Sequence, residues 1–163
     1  MKRIFLIPAV LLLLMLCACA PEQTGEEPPA QPEMFSEVFN DGVTAVETRR
    51  LIRLPGSTAE TEYCFLEVRL TNNNVEPVYY SSLLCLRGSA GGNALDIKNA
   101  VAANNAAAAA IEGYSTIDGE IASGGTAEGF VFFEAPAGMT SFEISLATDF
   151  GDDEWVSFSC GSV

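Results

Sequence analysis

The run Glu62 to Thr71 sets the terms on which the rest of the chain must fold. Cys64, Leu66, Val68 and Leu70 alternate with Phe65, Glu67, Arg69 and Thr71. A period of two places the first set on one face of an extended strand and the mostly charged set on the other. A face of that kind has to be covered by a second layer. The neighbouring segments repeat the texture. Val43 to Ile52 is a strand stopped by Pro55-Gly56-Ser57, and Asn72-Asn73-Asn74 with Glu76-Pro77 turns the chain into a strand from Val78 to Arg87. Strands follow at Ser115 to Ile121, Thr126 to Glu134, Ser141 to Thr148 and Glu154 to Cys160, with Gly124-Gly125, Ala135-Pro136-Ala137-Gly138 and Gly151-Asp152-Asp153 between them. Phe130-Val131-Phe132-Phe133 is apolar on both faces, which predicts a central strand. About seven strands with turn signals every 8–12 residues predict an all-β chain, an antiparallel two-sheet sandwich.

One segment breaks the pattern. Gly88 to Gly113 passes from Gly91-Gly92-Asn93 into an Ala/Asn tract ending at Ala106 to Ala110. Alanine favours helix, but Asn104-Asn105 interrupt it, and helices under ~12–15 residues are marginal alone. The spacing predicts a mobile excursion, with a helical turn or two on the sheet edge. As function it would gate a small ligand; as structure it is a tolerated insertion.

The N-terminus determines where such a domain sits. Lys2 and Arg3 precede an apolar run from Ile4 to Leu16, broken only by Pro8, and Leu16-Cys17-Ala18-Cys19 follows in the pattern of a bacterial lipobox. The run is shorter than the ~20 apolar residues of a membrane-spanning helix, so residues 1–18 read as a cleaved lipoprotein signal peptide. Cutting before Cys19 leaves small Ala18 at the cut, whereas cutting before Cys17 would leave bulky Leu16. Cys19 is therefore the expected lipidated residue. With ~0.8 kcal/mol for each buried methylene, two acyl chains such as palmitate hold a protein stably on a membrane. Ala20 carries no acidic retention signal, which permits the outer membrane in an organism with two membranes. Residues 19–34 read as a disordered tether, since the Pro/Glu/Gln-rich stretch from Ala20 to Glu33 has no apolar periodicity. In polyproline-like form, at ~3.1 Å per residue, it spans about 40 Å. The sandwich would occupy residues 35–163.

Composition removes most chemistries. There is no histidine among the 163 residues, so His-dependent triads, Cys–His nucleophiles and His-ligated zinc are excluded. The net charge of −14 becomes −16 when Lys2 and Arg3 leave with the signal, a surface that repels nucleic acid and anionic headgroups. Asp149, Asp152, Asp153 and Glu154 gather carboxylates in one turn and are a candidate Ca²⁺ site, although Asp-Gly-Asp turns also arise from backbone preference alone. No other cofactor is implied. Tyr79, Tyr80 and Trp155 are a candidate recognition patch or, as structure, caps on a core.

Cys64, Cys85 and Cys160 remain once Cys17 and Cys19 are accounted for, and an exported chain permits a disulfide. A hairpin count about Asn74/Val75 matches Cys64 with Cys85; Cys64 with Cys160 is the alternative, and three reduced buried thiols the structural reading.

Glu67 to Asn73, together with Ile121-Ala122-Ser123-Gly124-Gly125-Thr126 leading into Gly129 to Pro136, resembles a bacterial surface lipoprotein family with an immunoglobulin-like extracellular domain. That family is grouped with a mycobacterial immunoprotective antigen. The resemblance covers roughly Phe35 to Cys160 and implies an immunoglobulin-like sandwich at the cell surface, with no catalytic residues to carry over. In immunoglobulin-like positions all three cysteines would lie near one pole. The resulting expectation is a lipid-anchored, extracytoplasmic, non-enzymatic protein that binds a protein or envelope component. The alternative is an ion- or small-ligand-binding lipoprotein.

Overall fold

A computed structural model describes residues 34–96, 100–147 and 155–161. The alternation at Glu62 becomes β3 (Thr61–Asn72), which pairs antiparallel on one side with β2 (Thr44–Pro55) and on the other with β8 (Thr126–Pro136). Adding β1 (Ser36–Asn40) gives a sheet in the order β1-β2-β3-β8. A second sheet has β10 (Trp155–Gly161), β9 (Ser141–Ala147), β5 (Leu86–Ala90) and β6 (Asn93–Ala94), in that order. A two-stranded ribbon of β4 (Val78–Ser81) and β7 (Asp118–Ile121) completes the strands. The architecture is the expected all-β antiparallel sandwich.

The core lies between the two sheets. Cys64, Leu66, Val68 and Leu70 of β3 meet Phe142, Ile144 and Leu146 of β9, with Val46, Val131, Phe133 and Phe158 around them. The opposite face of the first sheet is also covered. Tyr63, Phe65, Phe130 and Phe132 pack under α1 (Ala100–Ala110) through Ala103, Ala107 and Ile111. The Ala/Asn tract is therefore a three-turn helix on the face of the sheet, not a turn or two at its edge. Alanine at positions 103 and 107, one helical turn apart, lets the helix backbone approach the Phe side chains closely. Tyr114 locks the exit: its ring stands edge-on to Phe65 at 5.7 Å and its hydroxyl donates to Asn104 Oδ1.

Two further expectations are corrected. Phe130 to Phe133 belongs to a strand at the border of its sheet, and it is apolar on both faces because the helix covers one and the second sheet the other. Its outer edge is closed by bridges from Asp96 to Glu134 and from Thr116 to Phe130. Gly129 permits that crossing, since a Cβ there would lie 2.8 Å from the Ser115 carbonyl oxygen. Val78 to Arg87 is not one strand. The Leu84 and Cys85 amides both donate to the Ser81 carbonyl, and the Ser82 amide to Asp118 and Ile117, so the chain turns and crosses from the ribbon to the second sheet. With that split and the short strands β1 and β6, the described residues form ten strands where about seven were expected.

A bulge in β2 keeps both layers in phase. Thr48 opposes Val68 and Leu51 opposes Leu66, so Arg49 and Arg50 together face Glu67. The extra residue turns Leu51 toward the inter-sheet core while Ile52 and Leu54 reach the helix side. Glu67, almost fully buried, accepts from Arg49 Nε at 2.8 Å and Arg50 Nε at 2.7 Å. Burial acts to raise its carboxyl, but the two guanidinium hydrogen bonds outweigh it and hold the group below the usual carboxylate range.

Ala107→Leu is expected to overpack the helix–sheet contact and cost about 1–3 kcal/mol. Ala109→Leu, on the exposed side of the same helix, should change stability by less than about 0.5 kcal/mol. Urea denaturation of the two variants checks the difference.

Candidate functional site

Seven large apolar residues are exposed among the described residues, and four of them fall between Val75 and Leu84. Val75 is 86% exposed, Leu84 60%, Tyr79 54% and Leu83 40%. Scattered single exposures need no explanation, but four within ten residues on one ribbon and its flanking turns mark a surface. The ribbon geometry produces them. Tyr79 opposes Glu120 and Tyr80 opposes Gly119, so consecutive tyrosines face opposite ways. Tyr80 turns inward, is buried, and donates its hydroxyl to the Cys85 carbonyl at 3.1 Å. Tyr79 turns outward and donates to Glu120 Oε2 at 2.6 Å.

One side chain holds this end of the sandwich together. Asn72, buried at the end of β3, donates from Nδ2 to the carbonyls of Glu76 at 2.8 Å and Ile121 at 3.0 Å, and accepts from the Asn74 amide at 2.9 Å. It ties the Asn73–Pro77 loop to the end of β7. On the far side Asp118 accepts from the Ser82 amide at 2.9 Å and the Ser82 hydroxyl at 3.0 Å, fixing the turn that displays Leu83 and Leu84. The cavity beneath, lined by Val46, Leu70, Asn72, Tyr80 and Leu146, admits at most one water. This end is a surface to dock against rather than a pocket to fill. Its charged neighbours, Glu76 and Glu120, are acidic and exposed.

Tyr80 leaves the recognition patch because the ribbon pairing turns it into the core. Trp155 lies on the second sheet rather than on the ribbon, under the Arg87 guanidinium at 3.7 Å from the ring centre. Cys19, Asp149, Asp152, Asp153 and Glu154 lie outside the described residues. Among the described residues no group of three His, Cys, Asp or Glu is arranged to hold a metal. Leu83, Leu84 and Val75 escaped the sequence reading. A strand predicted to continue through Leu83-Leu84-Cys85-Leu86 makes both leucines look like core.

The three cysteines do not gather at one pole, and the hairpin match of Cys64 with Cys85 fails. β3 never pairs with β4, because its neighbours are β2 and β8. The Cys85 carbonyl accepts from the Ala147 amide, at the end of β9 that meets Leu70 and Tyr80. Cys64 sits at the other end of β3, opposite Phe133. None of the three is in a disulfide. Burial pushes the Cys64 thiol up to about 12 and the Cys160 thiol up to about 11, with the Arg53 guanidinium acting against the rise in both.

The family model for the domain of unknown function DUF4352 matches residues 37–155. The chain belongs to this family. The DUF4352 match runs from β1 to the first residue of β10 and so takes in both sheets, the ribbon and the helix. Among solved structures, the chain is similar to a candidate lipoprotein, ycdA, from Bacillus subtilis subsp. subtilis str. 168, at 17% identity and a TM-score of 0.57, over 80% of this chain and 39% of that one. The chain thus spans about two fifths of that protein, and the likeness is one of fold. A conserved hypothetical protein from Bacillus anthracis matches at 13% identity and a TM-score of 0.45, over 78% of this chain and 96% of that one. Neither is a mycobacterial protein. No curated protein matches. No helix among the described residues is long and apolar enough to cross a membrane.

Asn72→Ala should leave carbonyl and amide groups at this end without their partner and cost about 2 kcal/mol. Hydrogen exchange should speed up first in residues 73–77 and 119–122, ahead of β3 and β8.

Proposed function

We propose that this DUF4352 protein is a lipid-anchored extracytoplasmic domain that does no chemistry and docks a protein partner through the Val75–Leu84 surface. The observation that carries the docking reading is the concentration of exposed Val75, Tyr79, Leu83 and Leu84 on one rigidly held ribbon end. Aromatic and aliphatic anchors on a preorganised surface are the usual source of binding energy between proteins. Acidic Glu76 and Glu120 beside them, in a chain with 22 acidic and 8 basic residues, favour a partner with apolar side chains flanked by lysine or arginine. The lipid anchor is supported by the Leu16-Cys17-Ala18-Cys19 pattern and by the lipoprotein description of the Bacillus subtilis neighbour. The absence of histidine from the sequence supports a non-enzymatic role.

Two experiments test the two halves. A photo-crosslinking residue at Leu84 in the full lipoprotein, expressed in its host, should give one discrete adduct that weakens when Leu83 becomes Asp. The same probe at Glu143, on the far sheet, should give none. A blank at Leu84 or identical adducts from both sites would remove the docking surface. Separately, Cys19→Ala should abolish incorporation of labelled palmitate and release from the membrane fraction by lipase; label retained in that variant would put the lipid elsewhere.

A further inference from the structure

The two ends of the inter-sheet core differ in one chemical respect: one of them brings two cysteines to the same level of facing sheets. Cys64 is on the inner face of β3, completely buried, and in its row are Arg53 of β2 and Phe133 of β8. Cys160 is on β10, where it packs against the same core, and its partner in the row is Phe142 of β9. These two rows lie against each other. The Phe133 and Phe142 rings meet edge to face with centroids 5.0 Å apart, and the Arg53 guanidinium lies 5.4 Å from the Phe142 ring centre. The sheets also stack in the matching sense: β1 meets β10 at one side and β8 meets β5 at the other, so β10 lies on the side of the sandwich toward which β3 follows β8.

We propose that Cys64 and Cys160 form an inter-sheet disulfide that does not include Cys85, which lies at the opposite end of the core. A bridge there joins the interior strand of one sheet to the border strand of the other, and it closes the long loop from Cys64 to Cys160, about three quarters of the domain; a crosslink restricts the unfolded chain more the longer the loop it closes. The environment supports a defined order of events. Cys160 is half-exposed and Cys64 is buried, so an external disulfide reaches Cys160 first. The Cys160 thiolate attacks one sulfur of that disulfide, forming a mixed disulfide and expelling one thiolate. The Cys64 thiolate then attacks the Cys160 sulfur, forming the protein S–S bond and expelling the second. The two protein thiols are oxidised, the external disulfide is reduced to two thiols, and the two protein protons go to the expelled thiolates. Because burial holds both thiols mostly protonated at neutral pH, the reaction in the folded domain is slow and quickens about tenfold per pH unit as thiolate accumulates. That the cell supplies such an oxidant rests on the extracytoplasmic reading above; the geometry does not.

The test uses the full lipoprotein in detergent, with oxidised glutathione as the disulfide at pH 9, so it is independent of where the protein resides. Peptide mass spectrometry after alkylation should find Cys64 joined to Cys160 and Cys85 alkylated. The melting temperature should rise by about 10 °C. Cys160→Ser and Cys64→Ala should each lose the rise, and Cys85→Ser should keep it. Glutathione held on Cys160 beside a free Cys64, a bridge to Cys85, or three alkylatable thiols after treatment that oxidises the urea-unfolded protein would each overturn the proposal. Failure of the Leu84 crosslink would leave this result untouched.

Discussion

Burial of the β3–β8 pair on both faces is the constraint on which the rest of this domain depends. Eleven residues of β3, from Thr61 to Thr71, pair with β8 from Pro136 back to Thr126. On one face the pair carries Cys64, Leu66, Val68, Leu70, Val131 and Phe133; on the other Tyr63, Phe65, Phe130 and Phe132. A sandwich alone covers only one of these faces. The remaining aromatic face would stay wet, at a cost of roughly 1.5–3 kcal/mol for each large side chain. The Ala/Asn helix answers that demand, and its weak intrinsic case for helicity explains why it needs the sheet as much as the sheet needs it.

The charges that face the sheets follow from the same arrangement. Glu67 sits on the helix-side face of β3 because its parity requires it, and the β2 bulge brings two arginines to it rather than one. Arg69 on the same face pairs with Glu128 at 2.7 Å and Glu47 at 3.3 Å, and lies 3.9 Å from the Phe35 ring centre. Four of the eight cations of an acidic chain, Arg49, Arg50, Arg53 and Arg69, are thus concentrated on one sheet, and two of them pair with the buried carboxylate of Glu67. The ribbon end keeps its acids, Glu76 and Glu120, exposed, and under the docking proposal that asymmetry would favour a basic partner.

Much of the fold was legible. The starts and ends of β2, β3, β8 and β9 fall within a few residues of their turn signals, because Pro55-Gly56, Asn72 to Asn74, Gly124-Gly125 and Pro136 act through local backbone preference. The candidate surface is half legible: the sequence marks Tyr79, but it marks buried Tyr80 equally and gives no sign that Leu83 and Leu84 are exposed. An exposed tyrosine and a buried one look alike in a two-residue run. Only the pairing of β4 with β7 separates them.

From the sequence alone one can determine the two faces of each strand, the places where the chain turns, the exclusion of histidine chemistry and the lipobox pattern, since each depends on residues a few positions apart. Tertiary structure decided that the Val78–Arg87 run divides, that the alanine tract docks as a helix, and that Cys64 has Cys160 rather than Cys85 at its own level. Those outcomes depend on which strands become neighbours across stretches of up to about a hundred residues. Strand order of that kind is set by closing a common core from both sides, and no local pattern encodes it.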